Sequence, residues 1–213
     1  MKPAAPLILH GVKLSGHVHR VELLLRMLDL PYEFVAAPAD VRAGAAFRAL
    51  NPLGQIPVLQ DGALTLGDSN AILVYLCKRY APGSTWLPED AVGAAAVQRW
   101  LSIAAGEIAF GPASARAGAL WDVPGDRARA GVVSARLLAF MEAHLQDQLF
   151  LAAPHATVAD LACHAYLAHA PEGGIDTAPF PALQRWLARV AALPGFFAMP
   201  ASALPSAVAV AAT

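Results

Sequence analysis

The chain is short of charge. Only 15% of its 213 residues are Asp, Glu, Lys or Arg, against roughly 25% in an average soluble protein. Fifteen basic and sixteen acidic residues leave a formal net charge of −1, so no global field draws in nucleic acid or an anionic membrane. Cysteine is scarce too. Cys77 and Cys163 lie far apart in apolar helical patterns, and no Cys-x-x-Cys occurs, which leaves no dithiol exchange and no thiolate cage for a metal. Two buried, inert thiols are expected rather than a disulfide. Long hydrophobic runs are also missing. Glu107 and Arg116 interrupt the Ala-rich segments, well before the ~18–20 apolar residues of a membrane helix are reached. The Leu7-Ile8-Leu9 run is too short for a secretory signal. The expectation is a cytoplasmic protein with neither a membrane nor a nucleic-acid partner.

What is abundant is apolar side chain, 57% of the total, which excludes intrinsic disorder and supplies a sizeable core. Its spacing changes along the chain. Pro6 to His10 reads as a short buried strand, and Val18, Val21, Leu24, Leu25 and Leu28 then recur at helical intervals. Leu30-Pro31 stops that helix, Tyr32 to Ala36 supplies a second strand, and a weaker helix is expected from Asp40 to Leu50. Ile56 to Gln60, the turn pair Asp61-Gly62 and Ala63 to Leu66 form a hairpin signal, and a helix from Ser69 to about Tyr80 comes next. The order βαβαββα, with the first two strands parallel through a right-handed crossover, is the thioredoxin-like arrangement.

Ala81-Pro82-Gly83-Ser84-Thr85-Trp86-Leu87-Pro88 then breaks every period. Beyond it the pattern is helical throughout: about Glu89 to Leu120, Gly125 to Gln148, Thr157 to Ala168 and Pro181 to Leu193. The expected division is a thioredoxin-like unit over 1–81, a linker over 82–90 and an all-helical unit over 91–213. Thr157-Val158-Ala159-Asp160 fits a capping box and is assigned to folding, not to a ligand. The tail from Ala201 to Thr213 carries no decipherable signal.

Three local motifs stand out in the first unit: Leu14-Ser15-Gly16-His17-Val18-His19-Arg20-Val21, Asn51-Pro52-Leu53-Gly54-Gln55-Ile56-Pro57-Val58-Leu59, and Gly67-Asp68-Ser69-Asn70-Ala71-Ile72. In their order and spacing the chain resembles the soluble glutathione transferase family over about residues 6 to 195. The resemblance implies a cis Ile56–Pro57 bond, leaving the Ile56 N–H and C=O free at a sheet edge for the cysteinyl backbone of glutathione. It also implies that Asp68 takes the ligand's α-amino group, Ser69 and a helix N-terminus its α-carboxylate, and Gln55 its glycine end. Gln55 stands where many relatives carry Lys, and Asp68 is one methylene shorter than the more usual Glu. Ser15 is the residue implied to activate the thiol, by donating a hydrogen bond to the thiolate from the start of the first helix. On the residues alone, Ser15 and Asp68 could equally be helix caps.

Residues 15 to 18 read Ser-Gly-His-Val, without the nucleophile of thioredoxins. His17 and His19, alternating at a helix start, are expected to be solvent-exposed, and His164 and His169 lack a third partner for a metal site. Trp100, Ile103, Phe110 and Ser114 share one stretch of the long helix after the linker. Packing is their default role, but the family lines its electrophile pocket with that helix, which makes Phe110 and Ser114 candidates. The implied activity is addition of the glutathione thiolate, a co-substrate, to a small apolar electrophile, without a metal and in a homodimer. A glutathione-dependent isomerase and a non-catalytic partner-binding module of the same fold remain alternatives.

Overall fold

The computed structural model describes residues 2–202; most of the Ala- and Val-rich tail, from 203 onward, lies outside the described residues. Four strands, β1 (Leu7–Gly11), β2 (Tyr32–Ala36), β3 (Val58–Asp61) and β4 (Leu64–Gly67), form one sheet in the order β2-β1-β3-β4. β1 and β2 run parallel with Leu9 opposite Phe34, and β3 is antiparallel to both β1 and β4. Helix α1 (Gly16–Met27) makes the crossover from β1 to β2. Ser15 caps its start in extended backbone, accepting from the Val18 N–H at 3.4 Å. The expected helix over 40–50 is two short ones, α2 (Ala39–Ala43) and α3 (Ala45–Leu50), parted at Gly44, whose extended ψ of 153° ends one and starts the other. Helix α4 (Ser69–Tyr80) follows β4, with Asp68 as its cap.

The helical half begins at Asp90, whose carboxylate accepts from the Val92 and Gly93 N–H groups and starts α5 (Ala91–Ile103). The helix then runs on through a π-helical stretch, Ala104–Ala113, into α6 (Ser114–Trp121). Pro112 sits inside the widened turns, where its missing N–H removes one bond of the ordinary i→i−4 ladder. Helices α7 (Arg127–His144), α8 (Val158–Ala168) and α9 (Pro181–Ala191) complete the half, with a 3₁₀ turn, Ala170–Gly173, between α8 and α9.

The capping box at Thr157 forms as expected and is wholly buried. Asp160 accepts from the Thr157 and Leu151 N–H groups and from the Trp186 indole at 2.8–3.0 Å. A single apolar core joins the two halves: Leu7, Leu9 and Leu24 of the sheet unit continue into Trp100, Ile108 and Leu161. Cys77 and Cys163 are free and buried within it. Burial pushes the Cys77 thiol up to about 12 and that of Cys163 still higher, so neither is a nucleophile. No helix among the described residues is long and apolar enough to cross a membrane.

Candidate functional site

Where the carboxyl-side end of β1 meets the helical half, the chain leaves a cleft of about 910 Å³, within the range of a small-molecule site. Ser15, Gln55, Ile56, Asp68 and Ser69 all line it, brought together from three separate chain reversals. The Ile56–Pro57 peptide is cis. The β1–β3 ladder takes up only at Val58, opposite His10, so Ile56 reaches the cleft outside it.

The polar floor is built around the start of α4. Asp68 holds a left-handed φ of +67°, uncommon for a residue with a Cβ and found mainly where the surroundings over-determine it. Its Oδ1 accepts from the Ala71 N–H at 2.8 Å, so it caps the helix while its side chain stays exposed in the cleft. Ser69 is buried. Its hydroxyl accepts from Arg20 Nη1 at 3.3 Å and lies 3.5 Å from His17 Nδ1. Arg20 was not among the sequence candidates. It is fully buried, faces no carboxylate at contact distance among the described residues, bonds Asn70 Oδ1 at 3.0 Å, and leaves its Nε and Nη2 without partners. A cation in that position adds positive potential beneath an N-terminus that already favours anions.

The histidines differ from expectation. His19 is buried, with Nε2 against the Phe197 carbonyl at 2.9 Å and its ring against that of Phe197. His17 lines the cleft edge-on to Tyr166, ring centres 4.9 Å apart. Burial, helped by the Arg20 charge, pushes His17 down to about 3, so it is neutral at physiological pH. Both are covered by segments far away in sequence, Tyr166 and Phe196–Phe197, which a helix-face argument at positions 17 and 19 cannot see.

Opposite the floor stand Ala113, Ala117 and Trp121, spaced four apart, with Val123 and Tyr166. Phe110 and Ser114 are not part of this wall. Phe110 is 65% exposed on another face, and Ser114 looks toward the loop after α6, where a Cβ on Gly125 would lie 3.6 Å from its hydroxyl. Ser114 opens α6 with its hydroxyl beside Gly125 of the following loop, and the later turns of the helix carry the wall through Ala117 and Trp121. Arg42 is a further cleft residue not anticipated. It reaches the Gln55 end, with Nη1 3.5 Å from the Gly54 carbonyl and Nε unpartnered. Its signal was weak, since an Arg in a short amphipathic helix reads as surface. Among the described residues no three His, Cys, Asp or Glu side chains gather as metal ligands.

Comparison with known proteins matches residues 9–84 to the glutathione S-transferase N-terminal domain and residues 129–194 to the glutathione S-transferase C-terminal domain. Glutathione S-transferase 3 of Zea mays is 37% identical over 210 residues, covering 90% of this chain and 92% of its own. The crystal structure of a glutathione S-transferase from Xanthobacter autotrophicus Py2 superposes with a TM-score of 0.82 at 32% identity, over 91% of this chain and 97% of that one. A Drosophila mojavensis glutathione transferase homologue, solved with bound glutathione, gives 0.80 at 27% identity over 89% of each chain.

Proposed function

The chain belongs to the glutathione S-transferase family and is an enzyme of that class, and from this premise we propose that it binds glutathione along the polar floor of the cleft and adds the thiolate to an apolar electrophile held against α6. What carries the reading is the convergence of Ser15, Ile56, Asp68 and Ser69 on one cleft. In this arrangement the α-carboxylate lies at Ser69 and the α4 N-terminus, the α-amino group at Asp68 and the cysteinyl backbone along Ile56. The glycine carboxylate lies toward Gln55 and Arg42, where the guanidinium supplies the charge that Gln55 lacks. The thiol then falls beside Ser15, between units spanning residues 1–81 and 91–213.

Ser15 accepts only a long bond from Val18, and its O–H is available to donate. Lowering a thiol by about two units from ~8.5 takes about 2.7 kcal/mol. One hydrogen bond to a charged group supplies roughly 1.5–3 kcal/mol, and the start of α1 up to about 2 more. No general base is required, because the proton leaves to solvent when glutathione ionises. The thiolate sulfur then forms the new bond to the electrophile, while the electrophile's leaving group departs or its double-bond electrons take up a proton. His17, held neutral, is no cationic substitute for Ser15.

A homodimer belongs to the same reading, with α4 of one protomer facing α5 and the π-helical stretch of the other. Phe110 stands exposed in that stretch, and a groove of about 650 Å³ is lined by Arg99, Ser102, Ile103, Glu107 and Phe140, a mixture suited to an apolar centre and polar rim. Titration with glutathione, followed by the ultraviolet difference spectrum of the thiolate, tests the central claim. Saturable binding with a thiol largely ionised at pH 7 supports it; binding with no thiolate band favours the partner-binding alternative.

A further inference from the structure

Arg116 is the one charged residue in the Ala- and Gly-rich sequence of α6. A long cationic side chain in such a place ordinarily carries its head to water. Arg116 is instead 1% exposed. Its fork is divided among three stretches of chain: Nε donates to Glu172 Oε2 at 2.6 Å, Nη1 to the Leu14 carbonyl at 2.9 Å and Nη2 to Ser202 Oγ at 3.4 Å. The guanidinium also lies 5.1 Å from the ring centre of Trp121 on the cleft wall.

Glu172 is shared in turn, accepting from His169 Nδ1 at 2.7 Å and from the Ser202 N–H at 3.0 Å. Burial opposes its charge, yet the bonds from His169, Ser202 and Arg116 hold its carboxyl below the usual range. The 3₁₀ turn comes so near α6 that a Cβ on Gly173 would sit 2.5 Å from the Arg116 nitrogen; only glycine permits the approach.

A buried ion pair is a poor source of stability, since well-packed apolar side chains often do as well. Its geometry is more informative. Leu14 immediately precedes Ser15, and the peptide between them is planar. The Ser15 N–H is held by the Val12 carbonyl at 3.1 Å, and the Leu14 C=O by Arg116. Both polar ends of the plane from which Ser15 hangs are therefore fixed, one locally and one from 102 residues away. We infer that Arg116 is a positioning residue for thiol activation, orienting Ser15 through the Leu14 carbonyl and tying that orientation to Glu172 and Ser202. The inference rests on the proposed role of Ser15 toward the thiol.

The test uses the full chain carrying Arg116→Lys, which keeps the charge but cannot span Glu172 and Leu14 as a planar fork does. Three quantities are read: the pKa of the bound glutathione thiol from its thiolate absorbance, kcat with a neutral electrophile across pH, and the Kd of S-methylglutathione, which has no thiol to ionise. The expected result is a bound-thiol pKa raised by about one unit, kcat at pH 6.5 lowered ~5-fold, most of that loss regained near pH 8.5, and an S-methylglutathione Kd within ~2-fold of wild type. In a Ser15→Ala background the same substitution should leave the thiol pKa unchanged.

A folded Arg116→Lys enzyme with a wild-type thiol pKa overturns the inference, as does a change confined to the electrophile KM, which would put Arg116 in contact with that substrate. Should Arg116→Lys not fold, Glu172→Gln, which loosens the same fork, is read by the same three quantities and the same criteria. A wild type that binds glutathione without lowering its thiol defeats the Ser15 reading itself. A wild type that lowers it, beside a variant that lowers it equally, defeats only the role of Arg116.

Discussion

Two buried polar groups, Arg20 in the sheet half and Asp160 in the helical half, are satisfied differently. Beneath the cleft floor, Arg20 keeps two of its nitrogens without partners, and the Ser69 hydroxyl is held near the cleft by Arg20. In the helical half, Asp160 receives bonds from two backbone N–H groups, a hydroxyl and an indole, leaving little for a ligand. Hydrogen-bonding capacity left over inside a protein is costly; at Arg20 it lies beneath the cleft, and in the helical half it is left at His164 Nδ1. The apolar cleft wall on α6 obeys a third rule: Ala113, Ala117 and Trp121 offer area and shape, about 25 cal/mol per Å² without direction. Directed bonds suit a partner that is always the same, and undirected area suits one that varies.

The contrast is most exposed at a buried polar group of the helical half, which should affect stability alone. His164 donates from one ring nitrogen to the Leu187 carbonyl, is 6% exposed, and is pushed down to about 4 by burial. Its folded pKa lies below its unfolded value of about 6.5, so the unfolded chain binds the extra proton between those limits and stability falls as pH drops from about 6.5 toward 4. At ~1.4 kcal/mol per unit, the loss from this residue approaches ~3 kcal/mol. Urea melts from pH 7 to 4.5 should show the decline, and His164→Phe should remove this residue's share of it, leaving that of His17. Glutathione KM at pH 7 should be unchanged in that variant; a large increase would mean the two halves are not divided as described.

Next in size is Ser15→Ala, on the ligand-serving side. Losing the donor to a thiolate should cost about 1.4–2.7 kcal/mol, lowering turnover roughly 10 to 100-fold. Affinity for S-methylglutathione should scarcely change. Equal turnover in variant and wild type would leave Ser15 as the cap of α1 and nothing more.

How much of this could be read from sequence obeys the same divide. β2 has the bounds expected for it, α4 starts where expected and α8 one residue later, after its Thr157 cap, because caps and turn residues act within a few positions of themselves. The floor residues belong to such local motifs, so Ser15, Asp68 and Ser69 were nameable. Arg20, Arg42 and Arg116 were not, since each acquires its meaning from a partner on another element: Ser69, Gly54, and Leu14 with Glu172. The cleft wall escaped for the same reason: spacing from Trp100 groups Phe110 with Ser114, but Ala113, Ala117 and Trp121 form the wall because Tyr166 and the sheet unit stand around the same cleft.

Within the floor, the two ends of glutathione can be set against each other. Asp68→Ala and Ser69→Ala should weaken glutathione by about tenfold each, the loss of a charge-assisted bond of ~1.5 kcal/mol. A dipeptide lacking the glycine should show the same loss. Arg42→Ala, acting at the exposed glycine end, should cost less, about 3–5-fold, and make no difference to the dipeptide. Calorimetry with both ligands on the three variants separates the ends; an Arg42 variant impaired equally toward both would remove Arg42 from the glycine carboxylate.

The smallest effect belongs to the apolar wall. Trp121 is 49% exposed, so half its surface is already available to a second substrate, and only the part that an electrophile covers can matter. Truncation to Ala removes about one ring face of contact; at about 25 cal/mol per Å², some 40 Å² is equivalent to ~1 kcal/mol, or roughly fivefold. That loss should appear in the KM for a bulky aromatic electrophile and shrink for a small one, because a small molecule covers less of the ring. Glutathione KM and the bound-thiol pKa should stay at wild-type values, since no directed bond to the floor is lost. Paired kinetics with a large and a small electrophile decide it. A Trp121→Ala enzyme in which both electrophiles suffer alike, or in which the thiol pKa rises, would show that this wall also helps to hold Arg116 in place, and the division between directed and undirected walls would then pass beneath Trp121 rather than along it.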